Sequence, residues 1–387
     1  MKAEREVWVD WLRIAACAMV MLVHSTEPFY LGGEGGSQVL SRADAWWCAI
    51  IDSLVRCCVP LFIVASSYLQ FPIHYAAGEF IRRRALRILP PFVLWSVFYA
   101  FWWGDPVENF RDLLLNFNYA AGHLWFVYML LGLYLLMPLL SPWAEKVGKK
   151  ELRGWIGLWL VTTLLPLVRD LAAGGVTMIE GPSGIPQVAR YPLWGEASWN
   201  AYGTFYYISG VAGYLLLGLY FRKFAPEGWS RRKTLCVALP CFFGGFAITA
   251  GDFLRRVFAD SVGVFPYGAT LDRAVGWETM WCYDSIGVAL MTIGALLLFR
   301  RIHASGAFYR HIVLPISKAS YGMYLMHLAH LAWFAATFRS LLYDPAAPFG
   351  WTTAAVIFST ALATFLSTAL LSILLQRIPK LGRWIIG

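Results

Sequence analysis

Ten stretches of the chain stay apolar over a length that crosses the ~30 Å hydrocarbon core of a bilayer. They cover residues 9–29, 46–70, 88–104, 123–141, 154–171, 201–221, 235–251, 277–299, 313–338 and 351–376. Each is predicted to be a membrane helix; the third and seventh are short and aromatic. The polar segments between the runs alternate in charge. Residues 1–8, 71–87, 142–153, 222–234, 300–312 and 377–387 hold 21 Lys and Arg, and the intervening set holds 7. Basic loops stay on the cytosolic side, so the bias predicts cytosolic N and C termini, and an even number of spans agrees by placing both on one side. Two of the outer loops, 172–200 and 252–276, are long. The first is rich in Gly, Pro and aromatic residues, among them Trp194 and Trp199, and reads as a segment folded back over the outer face or as a plain connector.

Composition narrows the class. Of 387 residues, 59% are hydrophobic and 14% charged, against roughly 45–50% and 25% in soluble domains. That excludes a soluble domain, a disordered chain and a coiled coil, and the helical length of the runs excludes an outer-membrane barrel. The expectation is an all-α polytopic protein, one membrane domain over residues 1–387. The net charge of +9 does not point to nucleic acid, because no RNA- or DNA-binding motif and no basic domain accompany it. The seven cysteines lie in or beside apolar runs, without CxxC or metal-type spacing, and read as small core residues. The first run follows Lys2 and Arg5 as a signal peptide would. Its twenty-residue length, its internal Arg13 and the lack of a small-x-small cleavage site make it a membrane helix instead.

Charge inside a bilayer is costly, about 2.5–3.5 kcal/mol for Arg, Lys or Asp at a helix centre on insertion scales. The intramembrane exceptions are therefore informative: Arg13, His24, Asp52, Arg56, Asp284, Lys318 and His327. Arg13 and His24 are eleven residues apart. That spacing is a rise of about 16 Å and a return to within about 20° of the same face. The ninth run carries Ser317, Ser320, Tyr324 and His327 on one helical stripe. Both helices run outward from the cytosol, and the two histidines lie at similar depth. They read as packed, satisfied side chains or as a buried reaction centre or transport path. A metal pair lacks a third and fourth ligand at usable spacing, so no metal site is read. Asp10 and Arg13 (i, i+3) and Asp52 and Arg56 (i, i+4) are spaced to neutralise each other. Arg56, near mid-membrane, could also face a polar cavity. Asp284 is a carboxylate that could orient a histidine.

Arg82, Arg83, Arg84 and Arg87 cluster on the cytosolic side of the third run. They read as topology signals or as an anion site, because guanidinium forks suit phosphates. A basic cytosolic rim below a buried histidine would fit a donor with a phosphate-rich head and a long thin arm, the shape of acyl-coenzyme A.

Four segments carry a family likeness: VDWLRIAACAMVMLVHS with its Arg-x10-His spacing; RCCVPLFIVASSYL; RRRALRILPPF followed by GHLWFVYMLLGLYLLMPLL; and SKASYGMYLMHL. Together, over residues 8 to 376, they resemble acyltransferase family 3, the integral-membrane bacterial acyltransferases. Where the family has a Ser-Gly pair this chain has Ser66-Ser67, which puts the close helix packing implied by that pair in doubt. The resemblance implies ten helices in the inner membrane and O-acyl transfer, often of acetyl. The donor would be cytosolic acyl-CoA, a co-substrate, with no tightly bound cofactor. The acceptor would be a hydroxyl of an extracytoplasmic glycan: an exopolysaccharide, cellulose-type glucan included, or lipopolysaccharide. It implies His24 as base or transient acyl carrier, Arg13 and His327 beside it, and Arg82, Arg84, Arg87 and Lys318 as ligands for the donor. Tyr324, Ser320, Arg56 and Asp284 would face the acceptor. Partners would be the bilayer and a polysaccharide synthase complex, with no nucleic acid. Two other classes fit the same charges: a transporter or flippase for a glycan intermediate, and a non-catalytic synthase subunit.

Overall fold

The computed structural model describes residues 5–31, 39–116, 120–173, 178–180, 186–188, 208, 210–224, 228–260, 276–379 and 381–387. Thirteen helices are described: α1 (Val7–Thr26), α2 (Arg42–Val55), α3 (Cys58–Gln70), α4 (Ala77–Trp102), α5 (Pro106–Leu113), α6 (Trp125–Lys146), α7 (Lys149–Ala173), α8 (Gly213–Phe224), α9 (Arg231–Asp260), α10 (Ile286–Phe299), α11 (Leu314–Leu342), α12 (Trp351–Gln376) and α13 (Leu381–Ile386). Of the long loop 172–200, the described parts are the end of α7 and two paired three-residue strands, Met178–Glu180 and Pro186–Val188. The rest of that loop, with Trp194 and Trp199, lies outside the described residues, as does most of residues 252–276 beyond the end of α9.

Among the described residues, seven helical segments are long and apolar enough to cross a membrane: Val7–Phe29, Arg42–Gln70, Ala77–Trp102, Gly122–Lys146, Arg231–Ala259, Thr279–Phe299 and Pro348–Gln376. Helix α11 is long enough, but Ser317, Lys318, Ser320, Tyr324 and His327 dilute its apolar character. Helix α7 opens with Lys149, Lys150, Glu151 and Arg153. Of the expected span 201–221, residues 201–207 lie outside the description and α8 supplies twelve residues.

Two boundaries differ from the sequence expectation in ways that shape the interior. The run 46–70 is broken in two at Arg56–Cys57. Pro60 has no N–H to give to the carbonyl of Arg56, four residues back, so the helical ladder is interrupted there. Helix α4 begins at Ala77 rather than near residue 88, so the arginine cluster lies on a helix and not in a loop. Good helix formers and the Arg83–Glu79 pair (i, i+4) carry the helix that far.

Helix α1 sits at the centre and packs on α2, α3, α11 and α12. Helices α3 and α8 approach closely. A Cβ built on Gly218 would lie 2.5 Å from Ser67 Cβ and 2.9 Å from the Val64 carbonyl oxygen. Ser67 Oγ donates to the Leu215 carbonyl at 2.7 Å. The glycine that permits this contact therefore stands on α8, opposite Ser67, which answers the doubt raised by Ser66-Ser67. Gly218→Leu is expected to destabilise the protein by about 1–3 kcal/mol through overpacking. The control Gly132→Leu, with nothing within 4 Å of its Cβ, should leave the thermal unfolding midpoint in detergent unchanged.

Candidate active site

The buried charges divide into those the protein neutralises and those it does not. Asp10 was expected to pair with Arg13, one turn on. It pairs instead with Arg5, at 2.7 and 2.8 Å, and accepts from Tyr309 (2.7 Å) and Ser317 (2.6 Å). The carboxylate holds the Arg5 guanidinium above its usual pKa by hydrogen bonding. With Asp10 fully engaged, Arg13 has no hydrogen bond or ion pair among the described residues. Asp52 and Arg56 do pair, at 2.6 Å, and Thr26 donates to the other oxygen of Asp52 at 2.8 Å. The Arg56 guanidinium also lies over the Trp281 ring, 4.7 Å from its centroid, and 3.8 Å from Glu278.

Cations of both sets, Arg5 and Arg56 from the pairs and Arg13 from the unpaired, face one cavity of about 580 Å³. Arg13, Val20, His24 and Glu27 line it from α1 and the turn that follows. At one end stand Arg5, Arg13, Arg84, Arg87 and Lys318; Arg56, Glu278 and Trp281 lie at the other. Arg13, Arg87 and Lys318 have no carboxylate partner among the described residues, so this end carries uncompensated positive charge and suits a polyanion.

At the far end His24 Nδ1 lies 2.7 Å from Glu27 Oε1. A carboxylate only accepts, so the proton sits on Nδ1 and the Nε2 lone pair is left for chemistry. The His24 side chain is 20% exposed, enough to meet a reactant. Behind it stand two more histidines. The His24 and His327 rings are 5.0 Å apart, and those of His327 and His123 4.9 Å. His327 is fully buried and donates from Nδ1 to the Tyr324 carbonyl at 2.5 Å. Its Nε2, and both ring nitrogens of His123, have no hydrogen-bond partner among the described residues. Among the described residues no group of three His, Cys, Asp or Glu side chains is placed to hold a metal ion. The arrangement is a histidine base oriented by a carboxylate, at the inner end of a cation-rimmed tunnel, which is the equipment of acyl transfer.

A family profile described as an acyltransferase domain matches residues 6–372. The chain belongs to acyltransferase family 3. No curated protein and no solved structure matches it.

In this membrane acyltransferase, the tertiary structure gathers most of the side chains singled out by sequence. His24, Arg13, Arg56, Arg84, Arg87, Lys318, Ser320 and Tyr324 all line the one cavity. His327 abuts His24 without lining the cavity. Two residues lie elsewhere. Arg82 is exposed and not among the lining residues, because 84, 87 and 88 share a face of α4 and position 82 is turned about 200° from 84. Asp284 does not line the cavity either, and the carboxylate that orients a histidine is Glu27. Glu27 and His123 escaped the sequence reading because each sits at the end of an apolar run, where a polar residue reads as interfacial. The i, i+3 spacing from His24 was the available signal for Glu27; His123 had none.

The division of charges predicts different stabilities. Asp52→Asn strips Arg56 of its buried counter-charge and should cost about 3–5 kcal/mol. Arg13→Gln, which breaks no ion pair, should cost about 1 kcal/mol or less. Thermal unfolding of the purified variants checks both.

Proposed function

We propose that this acyltransferase moves an acyl group, acetyl as the default, from cytosolic acyl-CoA to a hydroxyl of a glycan outside the membrane. On this reading it is an O-acyltransferase of a bacterial inner membrane, with ten spans and both termini in the cytosol. Candidate acceptors are exopolysaccharide, cellulose-type glucan among them, and lipopolysaccharide. One observation carries the reading: the His24–Glu27 pair stands at the opposite end of the cavity from cations that have no carboxylate partner. The rise of about 16 Å between Arg13 and His24 separates the phosphate-binding end from the base, as a coenzyme with a long arm requires. Arg5, Arg84 and Arg87 at the cationic end belong to segments 1–8 and 71–87, which the charge bias assigns to the cytosolic side.

In this mechanism Arg13, Arg84, Arg87 and Lys318 take the phosphates, and the pantetheine arm runs between α1, α3 and α11 to His24. Neutral His24 takes the proton of the acceptor hydroxyl on Nε2. The alkoxide oxygen attacks the thioester carbonyl, the carbon–sulfur bond breaks, and the His24 proton passes to the departing thiolate. Glu27 keeps the ring in the productive tautomer and stabilises the imidazolium. The N–H of His123, whose ring nitrogens have no partner among the described residues, offers a hydrogen bond to the developing oxyanion.

The test is transfer of label from acetyl-CoA in lipid nanodiscs. His24→Ala should lower kcat by about 100-fold or more. Glu27→Gln should lower kcat with KM for acetyl-CoA little changed, and Arg13→Gln should chiefly raise that KM. Full activity in folded His24→Ala protein would overturn the assignment. An absence of acyl-CoA turnover by the wild-type protein would favour the transporter and subunit readings.

A further inference from the structure

His24 and Glu27 border a second cavity, of about 480 Å³, on the other side from the cationic tunnel. Its remaining walls are almost wholly apolar. Pro28 and Leu31 follow α1, Trp103 ends α4, and α11 contributes Leu328, Leu331, Ala332, Ala335 and Ala336. Among the described residues, the one charged group at its margin besides the site pair is Arg339. It donates to the Pro28 carbonyl at 2.9 Å, with its guanidinium against the Phe29 and Tyr343 rings.

Pro28, Leu31 and Trp103 lie just past the ends of α1 and α4 that are remote from Arg5 and Arg84, and the α11 residues run from its middle toward the end remote from Lys318. Large apolar side chains crowd the neighbouring surface: Phe101 is 62% exposed, Trp102 51%, Trp333 63% and Leu341 71%. Exposed aromatics at helix ends mark the level of a membrane–water interface. The second cavity thus joins the site pair to the outer boundary of the bilayer through an apolar passage. A free sugar would find few hydrogen-bonding groups there. The wall suits a ligand whose body is hydrocarbon and whose hydroxyl reaches the floor.

Building on the proposed acyl transfer, we infer that this cavity admits the acceptor and that the acceptor is an amphiphile, a saccharide carried on a lipid anchor in the outer leaflet. The anchor lies along Leu331, Ala332, Ala335 and Ala336, and the sugar hydroxyl meets His24 Nε2. The small α11 side chains make the room. The hydroxyl gives its proton to His24, its oxygen bonds to the acyl carbon, and coenzyme A leaves as the thiol.

The experiment compares methyl and dodecyl glycosides of the same set of hexoses as acceptors of labelled acetyl-CoA, with protein in nanodiscs. Wild-type protein should use the dodecyl form with a kcat/KM at least about tenfold higher, the effect of burying two methylene groups. Partitioning into lipid would raise the apparent rate for any dodecyl glycoside, so cavity-filling variants decide. Ala336→Phe, at an exposed position, and Ala332→Phe should each remove at least about tenfold of that kcat/KM. Binding of acetyl-CoA, measured by titration, should stay within about twofold. Equal use of the two glycosides overturns the inference, and so does an alkyl preference that survives in both variants. Failure of wild-type protein to consume acetyl-CoA with any acceptor, methyl or dodecyl, overturns the transferase reading on which the inference rests.

Discussion

A bilayer offers no hydrogen-bond partner to a charged side chain, so each guanidinium, imidazole or carboxylate carried into it must find one inside the protein. The rest of this structure depends on how that demand is met. Asp10 is saturated by Arg5, Tyr309 and Ser317, and Asp52 is neutralised by Arg56 and accepts a hydrogen bond from Thr26. Those contacts tie α1 to α11 and α2. They are structural ion pairs, and they use up the carboxylates that could otherwise have quenched the tunnel's cations. Arg13, Arg87 and Lys318 are left facing a cavity instead of a counter-charge. The positive rim follows from how the negative charges are spent.

The reactive end is built by the opposite device. Two of its three histidines are left with ring nitrogens that no group among the described residues satisfies, in a setting where an unsatisfied polar atom is expensive. His24 is the exception, held through Nδ1 by Glu27 and open at Nε2. The neutralised pairs at Asp10 and Asp52 anchor α1 and the α2–α3 break on either side, and the base and its neighbours are held between them. Stability and chemistry thus use different polar groups on the same few helices, so a family-wide activity of acyl transfer can coexist with a rigid frame.

The break between α2 and α3 shows the same economy. Pro60 removes one hydrogen bond from a buried helix and frees the Arg56 carbonyl. The interruption falls where Arg56 reaches the cavity wall beside Trp281. An uninterrupted helix over residues 46–70 would have continued the ladder past that point.

The apolar runs, the polar stripe of α11 and the Arg13–His24 spacing determined a helical membrane protein and the two elements that meet at its centre. Those features depend on local periodicity and on the cost of charge in hydrocarbon, both of which act residue by residue. The paired charges were legible where the partners share a helix, as for Asp52 and Arg56. The tertiary structure decided the rest. It paired Asp10 with Arg5 and not Arg13, it turned Arg84 and Arg87 inward while Arg82 faces out, and it chose Glu27 over Asp284 as the partner of His24. It also brought His123, from the start of a distant run, to within 5 Å of His327. Each of those outcomes turns on which helix faces which and on where a helix begins or breaks. Some of these partners are near in sequence, as Glu27 is to His24, but which of several local candidates is chosen depends on distant contacts such as that of Asp10 with Ser317, which no local pattern encodes.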